Sequence, residues 1–152
     1  TRSSWVTGVQ TCALPILRQS IDLSPLMTVK AKITCVKDFP QGETISYGRI
    51  FTAPRDMRVA TLPLGYADGY TRLYTGKAAV EIEGQRVPVV GRICMDQCMI
   101  DVTDMPDAAV GDTVTIFGSP TLPADEAAAW LGTIHYEVVS MIAPRIPRVY
   151  VK

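Results

Sequence analysis

From Thr28 onward, apolar and polar residues alternate along the chain. In TVKAKITCV the apolar positions Val29, Ala31, Ile33 and Cys35 recur every second residue, the period of a half-buried strand. In FPQGETISYGRIF, residues 40–42 supply a turn, and 45–51, aromatic and β-branched, predict a second strand or an extended loop. MRVATLPLG reads as a third strand stopped by Pro63 and Gly65, and GYADGYTRLYTG as a loop rich in glycine and aspartate. In AAVEIEGQRVPVVG two alternating runs flank Glu83, Gly84 and Gln85, a hairpin signal. CMIDVTDMPDAAVGDTVTIFG adds strands at 98–102 and 113–117 across a turn of Asp, Pro and Gly.

One segment reads as helical. Pro123 opens it, Asp125 and Glu126 stand in the first turn where the helix dipole favours acids, and Gly132 ends the run that AAAW continues. Beyond it, TIHYEVVSMIAPRIPRVYVK predicts a strand at 137–142, a kink at Pro144 and Pro147, and a closing strand at 149–151. Many short strands with regular turns predict a mainly all-β fold, an antiparallel β-barrel-like domain with one short peripheral helix. Closing the sheet would remove its exposed edges.

Only the opening lacks a pattern. TRSSWVTGVQTCALPI has neither helical nor strand period and resembles a translated sequencing adapter. Residues 1–16 are therefore expected to be a foreign or disordered segment, 17–27 a linker, and 28–152 the domain. With 152 residues, 47% of them hydrophobic, the chain is long enough for one core. Fifteen basic and fifteen acidic residues cancel, so bulk charge offers nothing to nucleic acid or an anionic membrane. No apolar run nears the roughly 20 residues that span a bilayer, and no basic segment leads into an apolar one at the start. The expectation is a soluble, cytoplasmic protein. Cys12, Cys35, Cys94 and Cys98 form no C-x-x-C pair, so they are expected to be small buried hydrophobes and not metal ligands.

No complete catalytic set is present: there is no phosphate-cradling glycine loop followed by Lys, and no H-E-x-x-H. The single histidine, His135, falls in a segment read as an alternating strand, where a packed, hydrogen-bonded ring is the simpler role than a general base. Polar and aromatic residues instead gather in three loops: SYGR at 46–49, GYADGY at 65–70 and GRICMDQ at 91–97.

Together, SYG, LPLGYADGY and PVVGRICMDQCMIDVT, with APRIP and PRVY near the end, resemble the C-terminal domain of alanine racemases over roughly 26–152. The resemblance implies a homodimer whose active sites form between subunits. Each protomer would join an N-terminal barrel, holding pyridoxal phosphate through a lysine, to a mostly β domain like this one. It implies that the enzyme acts on a small amino acid, interconverting L- and D-alanine to supply D-alanine for peptidoglycan. The barrel segment is missing here, so the fragment is expected to be inactive alone.

On the same resemblance, Tyr47 is the tyrosine base that exchanges a proton with the substrate Cα, opposite the cofactor lysine. A phenol ionises near ~10, so such a base needs surroundings that stabilise the phenolate. Met95 matches the position whose backbone amide meets the substrate carboxylate, a task main-chain N–H groups perform without a charged side chain. Asp96 reads as an organiser of that loop through bonds to backbone. Tyr66, Arg72, Arg92 and Ile142 fall on positions lining the access channel; for the two arginines the plainer role is a surface ion pair with Asp68 or Asp96. At Pro144 many members carry a tyrosine that reaches the cofactor phosphate, and proline offers neither O–H nor N–H. That departure leaves serine or other amino acids open as substrates. A related decarboxylase domain and a non-enzymatic β-domain for dimer contact are the alternatives from other classes.

Overall fold

The structure, a computed structural model, describes residues 25–151, so the 1–16 segment, most of the 17–27 linker and Cys12 lie outside the described residues. Among the described residues nine strands form: β1 (Val29–Lys32), β2 (Cys35–Phe39), β3 (Thr44–Ile45), β4 (Phe51–Thr52), β5 (Met57–Leu62), β6 (Ala79–Ile82), β7 (Gln85–Val90), β8 (Cys98–Asp101) and β9 (Thr113–Phe117). They are followed by the helices α1 (Ala124–Leu131) and α2 (His135–Met141). Seven strands make one sheet in the order β1-β9-β6-β7-β8-β5-β2, every pairing antiparallel.

That order forces the sheet to curl. Its edge strands β1 and β2 are joined by only Ile33 and Thr34, a link of three residue steps that spans about 11 Å at most. The edges of a flat seven-stranded sheet would stand about 29 Å apart. The link is bonded to both sides: the Ile33 N–H donates to the Asp112 carbonyl at 3.0 Å and the Thr34 N–H to the Thr61 carbonyl at 2.9 Å. The result is the barrel-like antiparallel fold expected from the sequence.

The core fills the concave side. Leu62, Val80, Ile100, Ile116 and Phe117 are fully buried there from the strands, joined by Ile93 from the loop between β7 and β8. α1 and α2 cover it with Ala127, Ala128 and Val138, and the Trp130 ring meets Tyr74 edge-on. β5 is buried on both faces at its middle, because a second cluster of Ile45, Ala53, Met57, Val59 and Val90 seats the β3–β4 ribbon on the outer surface. The ribbon's tip carries Tyr47.

Several expectations are corrected. The strand read through 29–35 is two strands at opposite edges, and Cys35 is exposed while Cys98 is buried and Cys94 half-buried. Residues 45–51 are a tight 3-10 turn between two short strands and not one extended piece. Residues 137–142, expected as a strand, lie largely in α2, a second helix. Val138 and Ile142, four apart, both enter the core, and the Thr133 hydroxyl bonds the Glu137 carboxylate across the first turn, where acid is favoured. His135 therefore opens a helix, its Nδ1 2.9 Å from the Asp125 carboxylate. No closing strand forms at 149–151, where all three residues are exposed.

The β6–β7 hairpin turns through Glu83 and Gly84, with φ of 49° and 80°, as a two-residue loop with two left-handed positions requires. Glu83 is exposed and pays a steric penalty that Asn largely escapes. Glu83→Asn is expected to stabilise the chain by about 0.5 kcal/mol, read as a higher urea midpoint at unchanged slope; a lowered midpoint contradicts the turn assignment.

Candidate active site

The three polar loops meet at one end of the curled sheet. Tyr47–Arg49 forms a 3-10 turn at the ribbon tip, entered through Ser46. The Ser46 hydroxyl accepts the Arg92 N–H at 2.7 Å and donates to the Arg92 carbonyl at 2.8 Å, tying the first loop to the third. The second loop lies on the third as well: the Tyr66 and Ala67 N–H groups each donate at 3.0 Å, to the carbonyls of Cys94 and Met95. Glycine allows this approach, since a Cβ at Gly65 would lie 2.3 Å from the Cys94 carbonyl oxygen.

The loops are held by one buried carboxylate. Asp68, 4% exposed, accepts the Gly65 N–H at 2.9 Å and the Arg145 Nε at 2.7 Å. The Arg145 guanidinium also reaches the Asp96 carboxylate at 2.7 Å, so one cation spans the second and third loops. The tail is fixed in turn: the Ala143 N–H donates to the Asp68 carbonyl at 2.9 Å, and Arg148 donates to the carbonyls of Ile142, Ala143 and Ile146. The two carboxylates hold the Arg145 pKa above its ordinary value. Arg145, not Arg72 or Arg92, is thus the partner of Asp68 and Asp96. The Asp96 carboxylate meets Arg145 of the tail and not the backbone of its own loop; the side-chain bond to backbone belongs to Asp68.

Each residue singled out from the sequence has a definite place. Tyr47 is 72% exposed at the ribbon tip, with an Arg92 guanidinium nitrogen 3.4 Å from where a Gly48 Cβ would stand. Met95 is exposed, and its N–H has no acceptor among the described residues. Tyr66 and Arg72 are exposed on the second loop and the 3-10 turn that follows it, and Arg92 is half-buried. Ile142 is buried in the core, and its carbonyl accepts from Arg148. Pro144 is exposed in the turn closed by the Ile146 N–H and the Ala143 carbonyl, next to Arg145.

Two further tyrosines fall out of consideration as bases. Tyr70 and Tyr74 stack at 4.7 Å inside the core, and neither hydroxyl has a partner among the described residues. Burial raises the Tyr70 pKa well above a normal phenol and pushes Tyr74 up to about 12, so both stay protonated at any working pH. Burial likewise pushes the Cys98 thiol up to about 12.

Arg145 escaped the sequence reading, although Asp68 was named there, because the two lie 77 positions apart. The available signal was the pairing of an aspartate inside GYADGY with an arginine inside APRIP, two polar residues in otherwise apolar surroundings. The cluster does not fit a pyridoxal phosphate cradle by itself. Its loops contain no lysine, Pro144 has no donor, and the nearest tail guanidinium is committed to two carboxylates.

The family model described as "Alanine racemase, C-terminal domain" matches residues 26–150. The chain is 57% identical over 141 residues to the alanine racemase of Desulfovibrio desulfuricans, covering 93% of this chain and 37% of that protein. It is 51% identical to alanine racemase 1 of Clostridium acetobutylicum, covering 89% and 36%. Among solved structures, alanine racemase of Clostridium difficile 630 superposes with a TM-score of 0.84 at 43% identity, covering 88% of this chain and 35% of that one. The biosynthetic alanine racemase of Pseudomonas aeruginosa gives 0.80 at 37% identity, covering 86% and 36%. The chain thus spans little more than a third of the length of these relatives.

Because the Asp68 carboxylate is buried and the Asp96 carboxylate is 56% exposed, their removal is expected to differ. Asp68→Ala orphans the Gly65 N–H and is expected to cost about 1.5–3 kcal/mol, whereas Asp96→Ala costs less than about 1. Urea unfolding of the two variants side by side checks this; equal losses contradict the assignment of Asp68 as the anchor.

Proposed function

The chain belongs to the alanine racemase family, as its C-terminal domain, and we propose that it carries the tyrosine half of a racemase active site. The observation that supports this most is Tyr47 itself: an exposed phenol on a bonded turn, beside the Arg92 side chain and the loop that carries Met95. Racemisation needs two bases on opposite faces of Cα. Tyr47 moves the proton at Cα on one face, and the second base is contributed from outside this chain.

The remaining residues bind and orient. The N–H of Met95, without an acceptor among the described residues, receives the substrate carboxylate, Arg72 and Arg92 draw that carboxylate in, and Tyr66 narrows the approach. Bound pyridoxal phosphate would supply the electron sink that acidifies Cα. No residue of this cluster holds it, so it belongs to a barrel segment, and the exposed end of this domain serves a second subunit's barrel in a homodimer. Alanine is the proposed substrate, in a cytoplasmic enzyme that supplies D-alanine for peptidoglycan. Among the described residues no helix is long and apolar enough to cross a membrane.

A chimera in which this chain replaces the matching segment of the Desulfovibrio desulfuricans relative tests the reading. It is expected to racemise alanine, and Tyr47→Phe to lower that rate about 10²- to 10⁴-fold. Exchange of the α-proton should persist for one enantiomer and vanish for the other. A cofactor-loaded chimera without activity, or a Tyr47→Phe variant as fast as its parent, contradicts the proposal.

A further inference from the structure

Ser46 has φ 75° and ψ 171°, a backbone conformation that residues other than glycine rarely adopt. Such strain persists only where the surroundings over-determine it. Here they do. The Ser46 hydroxyl occupies both polar backbone groups of Arg92, accepting its N–H at 2.7 Å and donating to its carbonyl at 2.8 Å. Ser46 also sits directly on Gly91, where any Cβ would stand 2.3 Å from the Ser46 Cβ. The residue is half-buried, and the chain leaves it straight into the 3-10 turn of Tyr47, with the Arg49 N–H returning to the Ser46 carbonyl at 3.1 Å.

A peptide held at this ψ has one direction in which to continue, so the Ser46 hydroxyl sets where the Tyr47 main chain, and with it the root of its side chain, is placed. It also makes that direction depend on the loop that carries Arg92 and Met95. A main-chain ladder could not do this, because β3 ends at Ile45 and pairs with β4 alone. The single hydroxyl takes the place of the missing rung.

We propose that Ser46 is a positioning residue, which acts by holding the Tyr47 turn against the backbone of Arg92. This rests on the reading of Tyr47 as a proton-transfer base. Ser46 touches neither substrate nor cofactor, and its effect travels through Tyr47.

Two substitutions separate the bond from the strain. Ser46→Ala removes the hydroxyl and keeps the unfavourable φ; Ser46→Gly removes the hydroxyl and relieves it. In the chimera, the measurement is wash-out of α-deuterium from each alanine enantiomer in water, together with kcat and KM. Both variants are expected to slow wash-out at least tenfold for the enantiomer whose deuteron Tyr47 takes. Wash-out of the other enantiomer should change less than twofold, and KM should hold steady while kcat falls. Ser46→Gly should unfold at a higher urea concentration than Ser46→Ala and yet show the same catalytic loss. In both, amide exchange at Arg92 should accelerate in the chain without any cofactor.

If Ser46→Gly restores wash-out for both enantiomers, the role is structural only and the proposal is overturned. Equal slowing for both enantiomers overturns it as well. Tyr47→Phe run beside them keeps the two readings apart. When that variant retains both exchanges, the assignment of Tyr47 fails; when it loses one and Ser46→Ala loses none, only the positioning role fails.

Discussion

A carboxylate that is nearly out of water must be answered by donors, and Asp68 draws its donors from two parts of the chain. Its side chain takes the Gly65 amide and the Arg145 guanidinium, and its carbonyl takes the Ala143 amide. A carboxylate at 4% exposure is costly unless it is paired and hydrogen-bonded. The second loop and the tail therefore have one arrangement in which the cost is met. Arg145 extends the constraint to Asp96 and so to the third loop, while Ser46 joins the first loop through Arg92. Four segments far apart in sequence become one surface.

The scaffold beneath that surface explains why it is presented outward. The sheet curls because two residues link its edges, which leaves its concave side to the core and one end to the loops. The β3–β4 ribbon is anchored on the outer face by Ile45, Ala53 and Val59, and its tip is held by the Ser46 bonds to Arg92. Tyr47, Ile50, Tyr66 and Met95 are all exposed there. Apolar side chains displayed on tightly bonded loops suit a surface completed by another polypeptide, in keeping with the proposal that the domain carries one half of a site.

Much of this was legible in the sequence, for reasons that differ by element. β6, β7, β8 and β9 lie where alternation put them, since each has one face in the core. The break between β1 and β2 was not legible. Ile33 keeps the alternation going and is itself buried, and only the bonds to Asp112 and Thr61, distant in sequence, decide that the chain crosses there. α2 was misread because Val138 and Val139 favour strands locally, while packing of Val138 and Ile142 against the core imposes the helix. At the site, the loop words singled out Tyr47 and Met95 as candidates, and the structure brings their loops together. The words could not reveal Arg145, whose partners are 77 and 49 positions away.

The central claim is that these loops are held in their geometry by the chain's own bonds before any partner arrives. Amide hydrogen exchange at Tyr66 and Ala67 tests it most directly, because both N–H groups lie in the seam between the second and third loops. The account predicts protection on the order of a hundredfold or more over an unstructured peptide, in the chain alone at neutral pH. Exchange at the rate of a free loop would contradict it.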